Sequence, residues 1–174
     1  MKSKENIVFL GMMGSGKTSI GSIISKKLKL DFYDTDHHIE KLLNIKISKI
    51  FQDKGEKFFR EHEEKITLQI LRNKNIVVAL GGGAFLNKKI RDEILQNHNS
   101  FWLKWDNDVL LKRIKNNPKR PIAFKSTNAQ LVKLIKKRSN IYSKALYNID
   151  CNNLTKTQIV NKIIKIYETN NIKD

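Results

Sequence analysis

The sequence predicts an α/β fold in which a mostly parallel sheet is covered by helices on both faces. Three observations predict it. Short apolar, β-prone runs alternate with segments whose apolar residues recur at helical spacing. Two of those runs stop on glycine, at Gly11 and at Gly81-Gly82-Gly83. Between the first run and the first helical segment stands a G-x-x-x-x-G-K-[ST] pattern, the place a strand-to-helix phosphate loop requires.

Residues 6–10 (NIVFL) read as a buried parallel strand, and Ile20, Ile23, Ile24 and Leu28 as the apolar stripe of the helix that follows. Phe32-Tyr33-Asp34 is a brief extended piece. Residues 55–73 read as a long helix with Phe59, Ile66 and Ile70 on one face. Residues 76–80 (IVVAL) are a second β-prone run and residues 100–105 a third. The next helix carries Val109, Leu110 and Ile114, and Asp106 stands where it could be capped. Asn116-Asn117-Pro118-Lys119-Arg120-Pro121 holds both prolines of the chain and cannot continue that helix, so an exposed loop begins there. A helix over 128–138 follows, then a short strand at 148–150. Thr155 and Gln158 have capping-box spacing ahead of a last helix striped by Ile159, Ile163, Ile164 and Tyr167.

The chain has 174 residues, enough for one core and not two. With 40% hydrophobic residues wholesale disorder is excluded. No apolar run approaches a membrane span, and Met1-Lys2-Ser3-Lys4-Glu5-Asn6 leads directly into a strand, so neither a signal peptide nor a membrane association is expected. The single Cys151 has no partner for an intramolecular disulfide, which suits a reducing cytoplasm.

The formal charge of +17 invites a nucleic-acid reading. The basic residues, 28 Lys and 6 Arg, are scattered over polar helix faces instead of gathered on one element. Lys, Ile and Asn all have A/T-rich codons, so genome composition accounts for much of the excess. In such a background, arginine marks sites that need a planar, bidentate guanidinium. Those sites are Arg60, Arg72, Arg91, Arg113, Arg120 and Arg138.

In Gly11-Met12-Met13-Gly14-Ser15-Gly16-Lys17-Thr18 the glycines let backbone N–H groups turn inward around phosphates, and the helix N-terminus adds a positive field. Lys17 can reach the β- and γ-phosphates, and the Thr18 hydroxyl can ligate Mg²⁺. Ser19 occupies the third glycine position of a dinucleotide fingerprint, so a nucleoside triphosphate is the expected ligand. Asp34 and Asp36 flank one residue at the end of the extended piece. One carboxylate can serve a metal and the other a substrate hydroxyl, provided the backbone turns between them, since i and i+2 share a face in a strand. The bland alternative is a helix N-cap plus a surface charge. No acidic residue ends the second β-prone run, which leaves Asp34 as the metal's carboxylate. His37 and His38 have no companions at ligand spacing and read as solvated helix-start residues. The Gly81-Gly82-Gly83 turn is either a sharp bend or a place of close approach.

Taken in order, GMMGSGKT, FYDTD, IFQDKGEKFFREHE, GGG, KRP and KRSNIY resemble shikimate kinase over nearly the whole chain. The resemblance implies a three-layer P-loop kinase fold of the nucleoside-monophosphate-kinase kind, with a five-stranded parallel sheet and helices on both faces. It implies one domain over 1–174, with a substrate-binding region at about 35–63 and a lid at about 116–127. It also implies ATP- and Mg²⁺-dependent phosphorylation of the shikimate 3-hydroxyl, on the route to chorismate. Gly14, Ser15, Gly16, Lys17, Thr18 and Ser19 would bind the phosphates, and Thr18 would hold Mg²⁺ with Asp34. Asp36 would meet the reacting hydroxyl, Arg60 and Arg138 would clamp the carboxylate, and the Gly81-Gly82-Gly83 backbone would face the ring hydroxyls. Arg120 would descend from the lid, and Arg113 would lie near adenine. Lys17, Asp36 and Arg120 are the catalytic candidates. The resemblance further implies a cytoplasmic monomer. A gluconate kinase, a nucleic-acid-dependent ATPase and a silent nucleotide-binding homologue are the competing readings.

Overall fold

The computed structural model describes residues 6–115 and 126–171. Five strands, β1 (Ile7–Leu10), β2 (Asp31–Asp34), β3 (Ile76–Ala79), β4 (Asn99–Lys104) and β5 (Tyr147–Asp150), form one sheet in the order β2-β3-β1-β4-β5. Every pairing is parallel, with Ile7 opposite Val77 on one side and Asn99 on the other. The helices among the described residues are α1 (Lys17–Leu28), α2 (Thr35–Leu43), α3 (Ile47–Asp53), α4 (Gly55–Leu71), α5 (Lys88–Asn97), α6 (Asn107–Lys115), α7 (Asn128–Tyr142) and α8 (Lys156–Asn171). A single 3₁₀ turn (Ala84–Leu86) precedes α5.

Side chains that alternate along a strand separate the core into two parts. Ile7, Phe9, Val77, Phe101, Leu103 and Ile149 pack with Ile20 and Ile24 of α1 and with Ile159 and Ile163 of α8. Val8, Leu10, Val78, Leu80 and Trp102 face the other way, against Ile39, Ile50, Phe59, Ile66, Ile90, Leu110 and Ile135. The central strand β1 is fully buried on both faces, which explains why its sequence shows an unbroken apolar run and no alternation. At its carboxyl end the chain first moves to one edge of the sheet and later returns to the other. An open parallel sheet places its ligand crevice at such a switch point.

The anticipated elements are present, with three differences. The helix expected over 128–138 runs on to Tyr142, so Arg138 lies one turn inside it and the attraction of a helix C-terminus for cations does not account for it. Helices α3 and α5 had no counterpart in the sequence reading. Asn87 caps α5, its side chain accepting from the Lys89 and Ile90 amides at 2.9 and 3.2 Å. The Thr155–Gln158 box forms as read, Gln158 N donating to Thr155 Oγ1 at 3.3 Å and Thr155 N to Gln158 Oε1 at 2.8 Å. Arg120 and the loop around both prolines lie outside the described residues.

Candidate active site

The phosphate loop links β1 to α1 through three glycines at positive φ, Gly11 (138°), Gly14 (82°) and Gly16 (93°), a conformation other residues adopt at a cost. Lys17 is buried, and its ammonium donates to the Gly11 and Met12 carbonyls at 2.8 and 3.0 Å. The lysine thus lies across the loop, its ammonium held by the loop's own carbonyls.

The two aspartates are separated as the strand geometry demands. Asp34 is the last residue of β2 and the N-cap of α2, while Asp36 lies in the first turn of that helix. Asp34 Oδ1 accepts from the His37 amide at 3.2 Å, and Oδ2 accepts from the Thr18 hydroxyl at 2.6 Å. The capping role and the role beside the phosphate loop are therefore both filled by one carboxylate. Thr18 and Asp34 supply hard oxygen donors at the loop's edge. A hydroxyl that donates to Asp34 keeps lone pairs for a cation. This suits Mg²⁺, which takes few protein ligands and completes its shell with water and phosphate.

Across the crevice, α4 and α7 bring arginines to the glycine turn after β3. The Gly81 amide donates to Thr35 Oγ1 at 2.8 Å, tying that turn to the start of α2. A methyl group on Gly81 would overlap Asp36 Oδ1 and come within 3.1 Å of Glu63 Oε1; on Gly83 it would overlap the Arg60 guanidinium. None of the three glycines has positive φ, so at Gly81 and Gly83 the turn needs glycine for space and not for conformation, whereas a methyl group on Gly82 would make ordinary contacts. Close approach is the correct one of the two readings.

Arg60 donates through Nη1 to Glu63 at 2.7 Å and through Nε and Nη2 to Glu56 at 3.2 and 3.1 Å. The neighbouring Glu64 instead accepts from Lys89 and Asn87 at 2.6 and 2.7 Å. Burial alone would lower the Arg60 pKa, but Glu63 and Glu56 outweigh it and hold the guanidinium above its ordinary range. Burial pushes the Glu63 carboxyl up, Arg60 opposes this, Asp36 adds to it and Arg138 opposes it, so the four groups share one electrostatic neighbourhood.

Arg138 donates through Nη1 to the Gly82 carbonyl at 3.3 Å and touches Met12 Sδ of the phosphate loop at 3.8 Å. Its Nε is buried and has no hydrogen-bond partner among the described residues. The Tyr142 hydroxyl, one turn further along α7, donates to the same Gly82 carbonyl. Burial pushes that phenol up to about 12, so it remains a donor at any physiological pH. Glu63, Thr35 and Tyr142 were not among the sequence candidates. For Glu63 the i+3 spacing from Arg60 was the available signal, whereas Tyr142 needed the extra turn of α7.

On the far side of the loop, Arg113 of α6 is exposed. Its guanidinium lies 3.8 Å from the ring centroid of Trp105, and Nη1 reaches to 3.5 Å from the Gly14 carbonyl. The Trp105 indole donates to the Ser15 carbonyl at 2.9 Å. His38 packs edge-on to Tyr33 and His37 is exposed on α2, so neither histidine faces a ligand set.

A phosphate loop that abuts a cradle of carboxylates and guanidinium groups defines a P-loop kinase acting on small molecules, which moves a phosphoryl group onto a hydroxyl. A family model described as shikimate kinase matches residues 13–168. A shikimate kinase of Thermodesulfovibrio yellowstonii is 38% identical over 165 residues, covering 94% of this chain and 95% of that protein. One from Bartonella quintana is 37% identical over 163 residues, covering 93% of this chain and 78% of its own length. Among solved structures, shikimate kinase from Acinetobacter baumannii in complex with shikimate superposes with a TM-score of 0.89 at 29% identity, over 97% of this chain and 96% of the other. The chain belongs to the shikimate kinase family.

Proposed function

We propose that this chain transfers the γ-phosphoryl group of ATP to the 3-hydroxyl of shikimate, giving shikimate 3-phosphate and ADP. The observation that carries the reading is the Arg138 guanidinium. It is seated between the Gly82 carbonyl and the phosphate loop, with a buried Nε–H that the described protein leaves unsatisfied. A planar carboxylate arriving there would satisfy that donor, and Arg60 across the glycine turn would complete the clamp. The backbone of Gly81-Gly82-Gly83 would then meet ring hydroxyls, and Asp36 would orient the reacting one.

Lys17 would leave the Gly11 and Met12 carbonyls for the β- and γ-phosphates, with Gly14 to Ser19 cradling the chain of phosphates. Bound at Thr18 with Asp34 in support, Mg²⁺ would neutralise phosphate charge. Arg113 would flank the base. Arg120 would stabilise the transferring group from a lid at about 116–127, all of it within a single domain over 1–174. Because the transition state of phosphoryl transfer is loose, positioning and charge stabilisation matter more than proton removal by Asp36. A cytoplasmic monomer completes the reading.

The deciding measurement is ADP release with and without shikimate. Release that depends on shikimate and on added Mg²⁺ supports the reading; release indifferent to shikimate, or faster with gluconate, overturns it. Arg120→Ala should mainly lower kcat and leave both KM values near those of the parent, since its contribution belongs to the transition state. An unchanged kcat would remove Arg120 from the chemistry.

A further inference from the structure

The residue that connects the phosphate loop to the nucleotide-flanking arginine is Trp105, which the reaction as proposed does not use. It follows β4 directly, at the carboxyl end of the sheet, and is half-buried with apolar contacts to both halves of the core. Its ring plane is therefore fixed by the sheet itself. From that anchored position it makes two contacts of different kinds. The indole N–H holds the Ser15 carbonyl at 2.9 Å, and the ring carries the Arg113 guanidinium 3.8 Å from its centroid.

Arg113 needs such support. It is exposed on α6, and its guanidinium reaches the Gly14 carbonyl only at a marginal 3.5 Å. An exposed arginine has several rotatable bonds, and each one ordered on ligand binding costs free energy. A guanidinium stacked on a fixed indole is already ordered, and the ring quadrupole favours the cation. Its opposite planar face remains available to a second flat group.

We propose that Trp105 is a positioning residue for the nucleotide: it pre-orders Arg113 as a platform for the base and ties that platform to the phosphate loop through Ser15. The base, the guanidinium and the indole then form three parallel layers. The inference rests on the reading of Arg113 as the base-flanking residue. Its consequence is selective. Loss of the indole weakens ATP and leaves the carboxylate-binding side of the crevice untouched.

The test is steady-state kinetics of Trp105→Leu, Arg113→Ala and the double variant, each checked by thermal unfolding. Trp105→Leu should raise the ATP KM about fivefold, a factor typical of one cation–π contact, with the shikimate KM within about twofold. In the Arg113→Ala background the same substitution should cost less than about twofold in ATP KM, because the two residues act as one. A parallel rise in shikimate KM overturns the proposal, as does a full penalty in the absence of Arg113. If Trp105→Leu does not fold, Arg113→Lys examines the stack from its exposed side: an ATP KM raised about threefold or more supports it, and one unchanged overturns it. A failure of the kinase reading itself is distinct, since the unsubstituted chain would then release no ADP in response to shikimate.

Discussion

At the scale of single residues, the guanidinium groups carry the most information. Arg60 begins with its charge balanced by Glu56 and Glu63, while Arg138 begins with one buried donor unsatisfied. Replacing Arg138 with lysine keeps the charge but loses the fork. Arg138→Lys should raise the shikimate KM about tenfold or more and the ATP KM by less than about twofold. Equal effects on both substrates would argue against a carboxylate clamp. The sequence made this residue visible because arginine is rare in a chain where lysine serves for ordinary charge. The same rarity brought out Arg113 but gave no hint of Trp105, whose importance depends on a ring plane set by packing from two sides. Nor did it reveal that Glu63 would be buried, since burial of an acidic residue on a charged helix is decided by which face meets the glycine turn.

At the scale of elements, the glycine turn after β3 converts backbone space into chemistry. Its residues give a test in which neighbours have different kinetic signatures. Gly83→Ala displaces the far end of a flexible side chain, so the Arg60 guanidinium should move and the shikimate KM should rise with little change in unfolding temperature. Gly81→Ala intrudes instead on Asp36 and Glu63, and should lower kcat. Reversed signatures would sink the assignment of Arg60 to binding and Asp36 to the reacting hydroxyl. Helix α5 offers a second test. Asn87→Ala removes its N-cap and a hydrogen bond to Glu64, and should cost about 1 kcal/mol of stability at neutral pH without altering either KM. Lys89 and Asn87 hold the Glu64 carboxyl below its ordinary 4.5. A depressed carboxylate stabilises above that unfolded value and loses its contribution as pH falls through the lower folded one. The gap between Asn87→Ala and its parent should therefore narrow below about pH 4.5, leaving the cap alone. A gap that widens in acid contradicts this account. Helix α5 was legible in principle, from Asn87 at the cap and Ile90 and Ile94 one turn apart. Helix α3, at seven residues, is too short for its periodicity to stand out, and its place is set by packing on α4.

At the scale of the whole molecule, the fold was legible because each strand of the sheet's centre is buried on both faces, and such strands appear as short, unbroken apolar runs. The crossing order of those strands was not legible from the runs themselves, and the resemblance implied only their number and parallel sense; the order β2-β3-β1-β4-β5 comes from the structure. The charge of +17 is the remaining global property, and two physical effects compete in it. Self-repulsion weakens the compact state, and long-range attraction draws in anions. Scattered lysines give both effects without a groove, so both should be screened in the same way by salt. Raising ionic strength from about 20 mM to about 0.2 M, where the Debye length falls below the spacing of most exposed charges, should raise the unfolding temperature by a few degrees. Duplex DNA should bind weakly at the lower salt and be released at the higher one. Because shikimate-dependent ADP release is the work of the crevice residues and not of the scattered surface lysines, DNA should leave it unchanged at saturating substrate. If DNA instead stimulates ATP hydrolysis in the absence of shikimate, the scattered charge is acting as a binding surface and the small-molecule reading of this chain is wrong.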